Sequence, residues 1–505
     1  MSYSTSSDQS TMEVADSQKS RMDASSVPDL VRIGQIPTNT AIDIETDILD
    51  PVVNTESLIR FQFQNKGILH SNSKIILRLG AQSNVGFFPL GVGVHSLIQR
   101  ARLSVGTKTI SEIDDFSHYI AYKSMFLSNE HQKEREQFVS GRQIAHRPYY
   151  FDGTNADFAS SELTEAKTIG LDNGQALESS NAGAMDVAGD LKLKDHCKTN
   201  ASFGPEFCIS LQDLFPFLYQ NQLPLYMMTE PVSVELTLSA QTLKRVSIQS
   251  GQSTGQAYPL DLTATQLVAD YQYFPQEMMN EYAEQNATMS FSYMDYRLAK
   301  RSINVNASGS EAQSTLIFNV GGAGRLVTKV FTGVADTTEE ASLLNNYRAV
   351  GQKRTYTGTP ATDTNRDVIT NLKYNDHFLY PVDIRNPAIQ FSNLVQAEGM
   401  VPFVTRDEYA NEGGATTLTK CEGYAQGVTD SSNPNYTAGI TNQFSYRAYK
   451  LNRNERINSR GIELYDTYEA FRNVTGGALS YTLRAYVEIL RVATLTNGKM
   501  EVYYA

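Results

Sequence analysis

The chain has 505 residues, a net charge of −12 and a sequence pI of about 5.2. That length is too great for one core and fits two domains of roughly 200–250 residues. The acidic balance excludes a protein whose main task is gripping nucleic acid, which needs a Lys/Arg face to neutralise phosphates.

Hydrophobic residues make up 41% and charged residues 19%, so the chain should fold as a globular protein. Twenty-eight tyrosines and 22 phenylalanines lean it toward strands. Three cysteines, Cys197, Cys208 and Cys421, are too few and too odd for a disulfide framework and read as free thiols of a reducing compartment. No charged-then-apolar leader opens the sequence, and no apolar run approaches the ~20 residues of a membrane helix. The sequons at Asn200, Asn286, Asn306, Asn435 and Asn473 therefore read as chance matches.

Residues 1–28 are serine-rich and nearly free of aromatics, which predicts a disordered, mildly acidic arm. In Arg100–Val105 apolar and polar residues alternate, and Gly106-Thr107 offers a turn into Lys108–Ile110. Ser111-Glu-Ile-Asp114 resembles a capping box, and Phe116, Tyr119, Ile120, Phe126 and Leu127 follow at helical spacing, predicting a helix over 112–128. The polar stretch 151–203 reads as a large surface excursion. Within it, His196-Cys197, even with Cys208, lacks the paired spacing and fourth ligand of a zinc site.

Leu211–Tyr219 is a short helix candidate, and Val232, Val234, Leu236 and Leu238 alternate with Ser233, Glu235 and Thr237 as a strand with one core face. In the Ser/Gln/Gly run 247–256, Gly251-Gln-Ser253-Thr-Gly255 matches the nucleophile elbow of α/β-hydrolases. Its flanks lack the strand before and helix after that would strain and expose the serine, so a hairpin loop is expected. Pro275–Glu284 breaks the strand pattern and divides the chain.

Gly321-Gly-Ala-Gly324 lies between strand-like segments, so its glycines suit bulges rather than phosphate binding. Asp363-Thr-Asn365-Arg-Asp367, in the loop-like segment 355–367, opens like a calcium loop. Val368 stands where glycine is needed and Tyr374 where glutamate is needed. Gln390–Glu398 is another short helix candidate. Tyr481, Leu483, Ala485, Val487 and Ile489 form an apolar stripe opposite Thr482, Arg484, Tyr486 and Glu488. Asn497-Gly498 then predicts a type I′ hairpin returning through Lys499–Tyr504, expected to serve the second half alone. The seven histidines, among them His95, His118 and His377, read as structural. No catalytic, cofactor-binding or metal-ligating residue is assigned.

Many short strands with few helices indicate sandwiches or barrels. The organisation expected is an arm over 1–28, a β domain over 29–275, a linker over 276–285 and a second β domain over 286–505. Three segments, Phe88–Tyr119, Cys208–Leu238 and Leu483–Gly498, resemble in order and spacing the double jelly-roll major capsid proteins of double-stranded DNA viruses. The short chain is most similar to the virophage and polinton-like virus type. The resemblance implies an all-β chain of two consecutive jelly rolls, with homotrimers of pseudo-hexameric outline tiling an icosahedral shell. It further implies a virion location after synthesis in the host's reducing cytoplasm or nucleus. The partners implied are copies of itself, a penton protein and minor capsid proteins, with neither chemistry nor sequence-specific nucleic-acid binding. Two alternatives stand beside it: a trimeric glycan-binding fibre or adhesin, and a hydrolase on a β-sandwich with Ser253 as nucleophile.

Overall fold

In the computed structural model most strands sort into two pairs of sheets whose order repeats, with two small sheets beside them. The structure describes residues 42–78, 87–89, 92–126, 135–136, 139–140, 190–192, 206–239, 260–307, 313–337, 349, 353–354, 365–366, 368–374, 377–402, 409, 411–412, 445–451, 461–469 and 477–504. The arm, the Ser253 motif, Cys197, Cys421, His196 and the sequons at Asn200, Asn435 and Asn473 lie outside these residues. So does most of the 151–203 excursion, from which Asp190–Lys192 pairs with Phe87–Pro89.

The first half carries β1 (Asp43–Leu49), β2 (Leu58–Gln62), β3 (Lys74–Arg78), β4 (Ile98–Val105), β5 (Lys108–Asp114), β6 (Glu206–Ser210), β7 (Val232–Leu238) and β8 (Gln266–Tyr273). One sheet runs β1-β8-β3-β6 and the other β2-β7-β4-β5, all antiparallel. The second half carries β9 (Thr288–Ala307), β10 (Gln313–Gly321), β11 (Val327–Asp336), β12 (Val368–Tyr374), β13 (His377–Phe378), β14 (Arg447–Lys450), β15 (Ile462–Glu469) and β16 (Gly477–Thr496). Its sheets run β9-β16-β11-β14 and β10-β15-β12-β13. Adding eight to each label of the first pair gives the second, so one Greek-key topology occurs twice. The fold is the double jelly roll.

The helices are few: α1 (Phe116–Ser124), α2 (Leu211–Leu214), α3 (Pro216–Gln220), α4 (Gln276–Gln285) and α5 (Pro387–Glu398). The α4 helix occupies the segment read as a linker. The α1 and α5 helices follow the equivalent strands β5 and β13.

Period two explains most faces. Val232, Val234, Leu236 and Leu238 of β7 are all buried, each contributing about 1.5–3 kcal/mol of transfer free energy. The glycine run makes a corner: Gly321, Gly322 and Gly324 have positive φ, and the β10–β15 register shifts between Asn319 and Gly321, a bulge that the sequence anticipates. Asn365–Arg366, in the segment read as loop, pairs as a short strand with Lys353–Arg354.

One expectation is corrected here. The helix predicted over 112–128 begins at Phe116, because Lys108–Asp114 pairs with β4. Ser111 caps nothing and donates its hydroxyl to Asp295 at 2.7 Å. The turn into the helix is made by Asp115, a non-glycine residue held at φ 46°. On β16 the face opposite the apolar stripe, with Thr482, Arg484, Tyr486 and Glu488, is buried as well. Residues 481–489 are buried on both sides, since one face lines the second roll's core and the other meets the first roll.

Candidate functional site at the seam between the rolls

The core of the second roll is bounded, formed by residues such as Val330, Leu464, Leu483 and Val487. The core of the first roll is continuous with the seam: its cluster runs from Phe61 and Val234 through α1 to Phe331 and Tyr486 of the second roll.

The α1 helix lies across the outer face of the β9-β16-β11 sheet. Every α1 residue except Lys123 is buried, although its sequence is not strongly two-sided. Tyr122 stacks on Phe331 with centroids 3.8 Å apart and planes 5° from parallel. Phe331 in turn stacks on Tyr486 at 4.7 Å, and Tyr119 tilts against Tyr296 at 4.9 Å. Such pairs add about 0.5–1.5 kcal/mol beyond area burial. Farther along, Phe217 of α3 meets Tyr293 edge-on at 4.9 Å.

Charges are paired at this apolar contact, Glu398 across it and Glu488 within the second roll's sheet. Glu398, at the end of α5, accepts from the Tyr122 hydroxyl at 2.6 Å and from Lys329 Nζ at 2.9 Å, with Lys123 Nζ at 3.5 Å. Glu488 accepts from the Tyr296 hydroxyl at 2.5 Å, from Thr328, and from Lys329 at 3.2 Å. Burial and the neighbouring Lys329 pull Lys123 down to about 8. Burial acts against ionisation of Glu398, yet Lys123 and Lys329 outweigh it and hold its carboxyl below the usual range. The same two glutamates raise Lys329 against its own desolvation. Burial and the carboxylates Glu398 and Glu488 keep the Tyr122 phenol neutral, far above its ordinary range.

At the start of α1 the Asp115 carboxylate takes Arg484 Nε at 2.7 Å and Lys300 Nζ at 2.9 Å, while its carbonyl accepts from the Tyr486 hydroxyl at 2.9 Å. Burial opposes its charge, but Arg484 and Lys300 hold it below the ordinary carboxylate range. On β5 the carbonyl of Ile110 accepts from the Tyr293 hydroxyl at 2.6 Å and from Arg491 at 2.8 Å. Arg491 also pairs with buried Asp295 at 2.6 Å. Beside this pair opens a polar cleft of about 340 Å³ lined by Thr109, Glu112, Asp114, Arg297 and Arg325.

The predicted hairpin forms, with Asn497 at φ 50° and Gly498 at φ 79° and β17 (Lys499–Tyr504) returning along β16. It does not serve the second roll alone. The Gly498 carbonyl accepts from both the backbone N–H and the hydroxyl of Thr229 in the first half, each at 2.9 Å.

This arrangement holds parts together. Each seam carboxylate described is committed to a cation or a phenol. Of the sequence candidates, His95 and His118 are buried in or beside α1, His377 is exposed on β13, and Cys208 is half-buried on β6. Among the described residues no His/Cys/Asp/Glu group could hold a metal ion, and no helix is long and apolar enough to cross a membrane. What sequence reasoning missed is the seam itself. The sequence of β16 carried no clear signal of it, because Thr482, Arg484, Tyr486 and Glu488 opposite the apolar stripe suit water as well as a buried contact.

No family model and no curated protein sequence matches the chain. Solved structures do. PBCV-1 VP54, in a crystal structure fitted into a cryo-EM reconstruction of the virophage Sputnik, matches with a TM-score of 0.53 and 11% identity, over 93% of this chain and 98% of that one. A quasi-atomic model of the PBCV-1 capsid gives 0.50 and 11% over 93% and 98%. The Sputnik virophage structure gives 0.50 and 11% over 93% and 90%. These chains share the double jelly-roll fold seen here.

Proposed function

We propose that this chain is a major capsid protein, a structural non-enzyme that assembles as pseudo-hexameric homotrimers tiling an icosahedral virus shell. The observation that carries the reading is the seam. Two rolls of one topology are welded by stacked aromatics and buried ion pairs into a single block, which a shell unit needs if strain is not to separate its halves. The solved structures of similar fold, virus capsids among them by title, support the same reading. The units of the block are residues 29–275 and 286–505, with 276–285 joining them and 1–28 as an arm that contacts partners in the shell. Beyond copies of itself, the partners are a penton protein and minor capsid proteins. The chain is made in a reducing cytoplasm or nucleus and ends in the virion.

Native mass spectrometry and negative-stain imaging of the purified protein test this. The expected result is a trimer of hexagonal outline that forms sheets or shells at high concentration. A monomer across micromolar concentrations overturns the reading.

A further inference from the structure

Lys123 is the one residue of α1 that is not buried, and its side chain is 27% exposed. Its Nζ atom sits among three tyrosine rings, 5.1 Å from the centre of Tyr296, 5.7 Å from Tyr122 and 5.9 Å from Tyr119. Ring faces carry the negative end of the aromatic quadrupole and attract a cation over such distances. The cage is held in place from outside. All three tyrosines are buried, and the hydroxyls of Tyr122 and Tyr296 are tied to Glu398 and Glu488.

A bare ammonium fits this cage poorly. It has three N–H donors, and the rings offer them no oxygen. Among the described residues the one carboxylate paired with Lys123 is Glu398, at 3.5 Å. Lys329 holds the shorter bond to that same oxygen, at 2.9 Å. Donors without an acceptor in a water-poor site cost free energy. The spacing of the rings suits carbon better than hydrogen. A methyl carbon stands about 1.5 Å beyond the nitrogen and would meet the three ring centres at about 3.6–4.4 Å, ordinary carbon–carbon contact.

We propose that Lys123 is a methylation site and that the tyrosine cage holds its dimethylammonium form. Two methyl groups lie on ring faces and the remaining N–H is directed to Glu398. Each substituent on the nitrogen then has a partner, and the positive charge that Glu398 pairs with is kept.

The methyl source is a sulfonium donor used by a methyltransferase, which reaches the exposed edge of α1. In each of two rounds the neutral amine attacks the methyl carbon of the donor. The N–C bond forms as the S–C bond breaks, the thioether leaves with the electron pair, and an amine proton passes to solvent before the next round. Burial and Lys329 hold Lys123 at about 8, so roughly a tenth of the amine is neutral and nucleophilic at pH 7. Acylation is the chemistry the cage rejects, since it removes the charge and sets a carbonyl against the rings.

Peptide mapping by mass spectrometry of the full chain from its natural source is expected to show two added methyl groups on Lys123. A Lys123 without methyl groups in that material overturns the proposal. The fit is tested on recombinant full-length chain carrying dimethyl-lysine at position 123, installed by an expanded genetic code. Its unfolding constant in denaturant should fall about three- to fivefold relative to the unmodified chain. Acetyl-lysine at the same position should raise that constant, and in Tyr296→Leu the gain from dimethylation should vanish. No gain from dimethylation, or the same gain in Tyr296→Leu, overturns the cage. The acetyl-lysine comparison leaves the cage residues untouched and stands even if Tyr296→Leu does not fold: acetyl-lysine as stable as dimethyl-lysine overturns the proposal.

Discussion

Single residues in the seam carry charge where water is excluded, and pH reaches them in opposite ways. Lys123 is depressed from its ordinary 10.5 to about 8 by burial and Lys329. Between about pH 8 and 10 the unfolded chain therefore holds a proton that the folded chain has released, and Lys123 makes stability rise with pH there. One proton corresponds to a slope of up to about 1.4 kcal/mol per pH unit. Above pH 10 the trend reverses, since phenols such as Tyr122 ionise only when unfolded. In Lys123→Met the rise between pH 8 and 10 should vanish in denaturant titrations, with Glu398 still held by Lys329 and Tyr122. A different buried pair lies inside the second roll, where Arg447 contacts Asp466 at 2.8 Å and Thr370 donates to the same carboxylate. Arg447→Met leaves Asp466 charged and fully buried, and should cost about 3–5 kcal/mol. A loss under 1 kcal/mol by chemical denaturation would count against the pairing.

At the scale of elements, the closing hairpin is the sharpest case. Gly498 has φ 79°, and a Cβ there would stand 2.6 Å from Thr229 Cγ2 and 3.1 Å from the Met227 carbonyl. Gly498→Val therefore meets both backbone strain, on the order of 1–3 kcal/mol, and a clash with the first roll. Limited proteolysis should open sites on both sides of the seam, around residues 225–230 as well as in β17. Cleavage confined to β17 would show that the turn is not a tie between the rolls. The start of α1 gives the complementary lesson about elements. Residues 111–114 have cap-like and helix-compatible side chains, yet a strand partner takes them, because pairing with β4 satisfies their backbone groups and frees Ser111 to bond Asp295.

For the whole molecule, the seam should fail in acid before the roll cores do. Asp115 and Glu398 both lie below their ordinary values of 3.8 and 4.5 when folded. The stability they supply is complete above those ordinary values and is lost as pH falls through the lower folded ones. Small-angle scattering on lowering the pH from 5 to 2 should show the chain lengthening while far-ultraviolet circular dichroism keeps its strand signal. Simultaneous loss of both signals would mean that the rolls and the seam form one cooperative unit.

The jelly-roll character was legible because alternation, turns and bulge glycines are local. Val232–Leu238, the β4–β5 turn at Gly106, the Gly321–Gly324 corner and the Asn497-Gly498 hairpin follow from period two and from which residues tolerate positive φ. The seam was not legible in that way. Alternation in β16 says which residues share a face but not what that face meets, and Arg484 and Glu488 look equally suited to water or to a buried pair. Only the packing of α1 onto β9-β16-β11 decided it, by bringing Asp115 to Arg484 across hundreds of residues and by covering the cross-strand pair of Lys329 and Glu488. Buried charge is stable only with its partner in place, and that partner is chosen by tertiary structure.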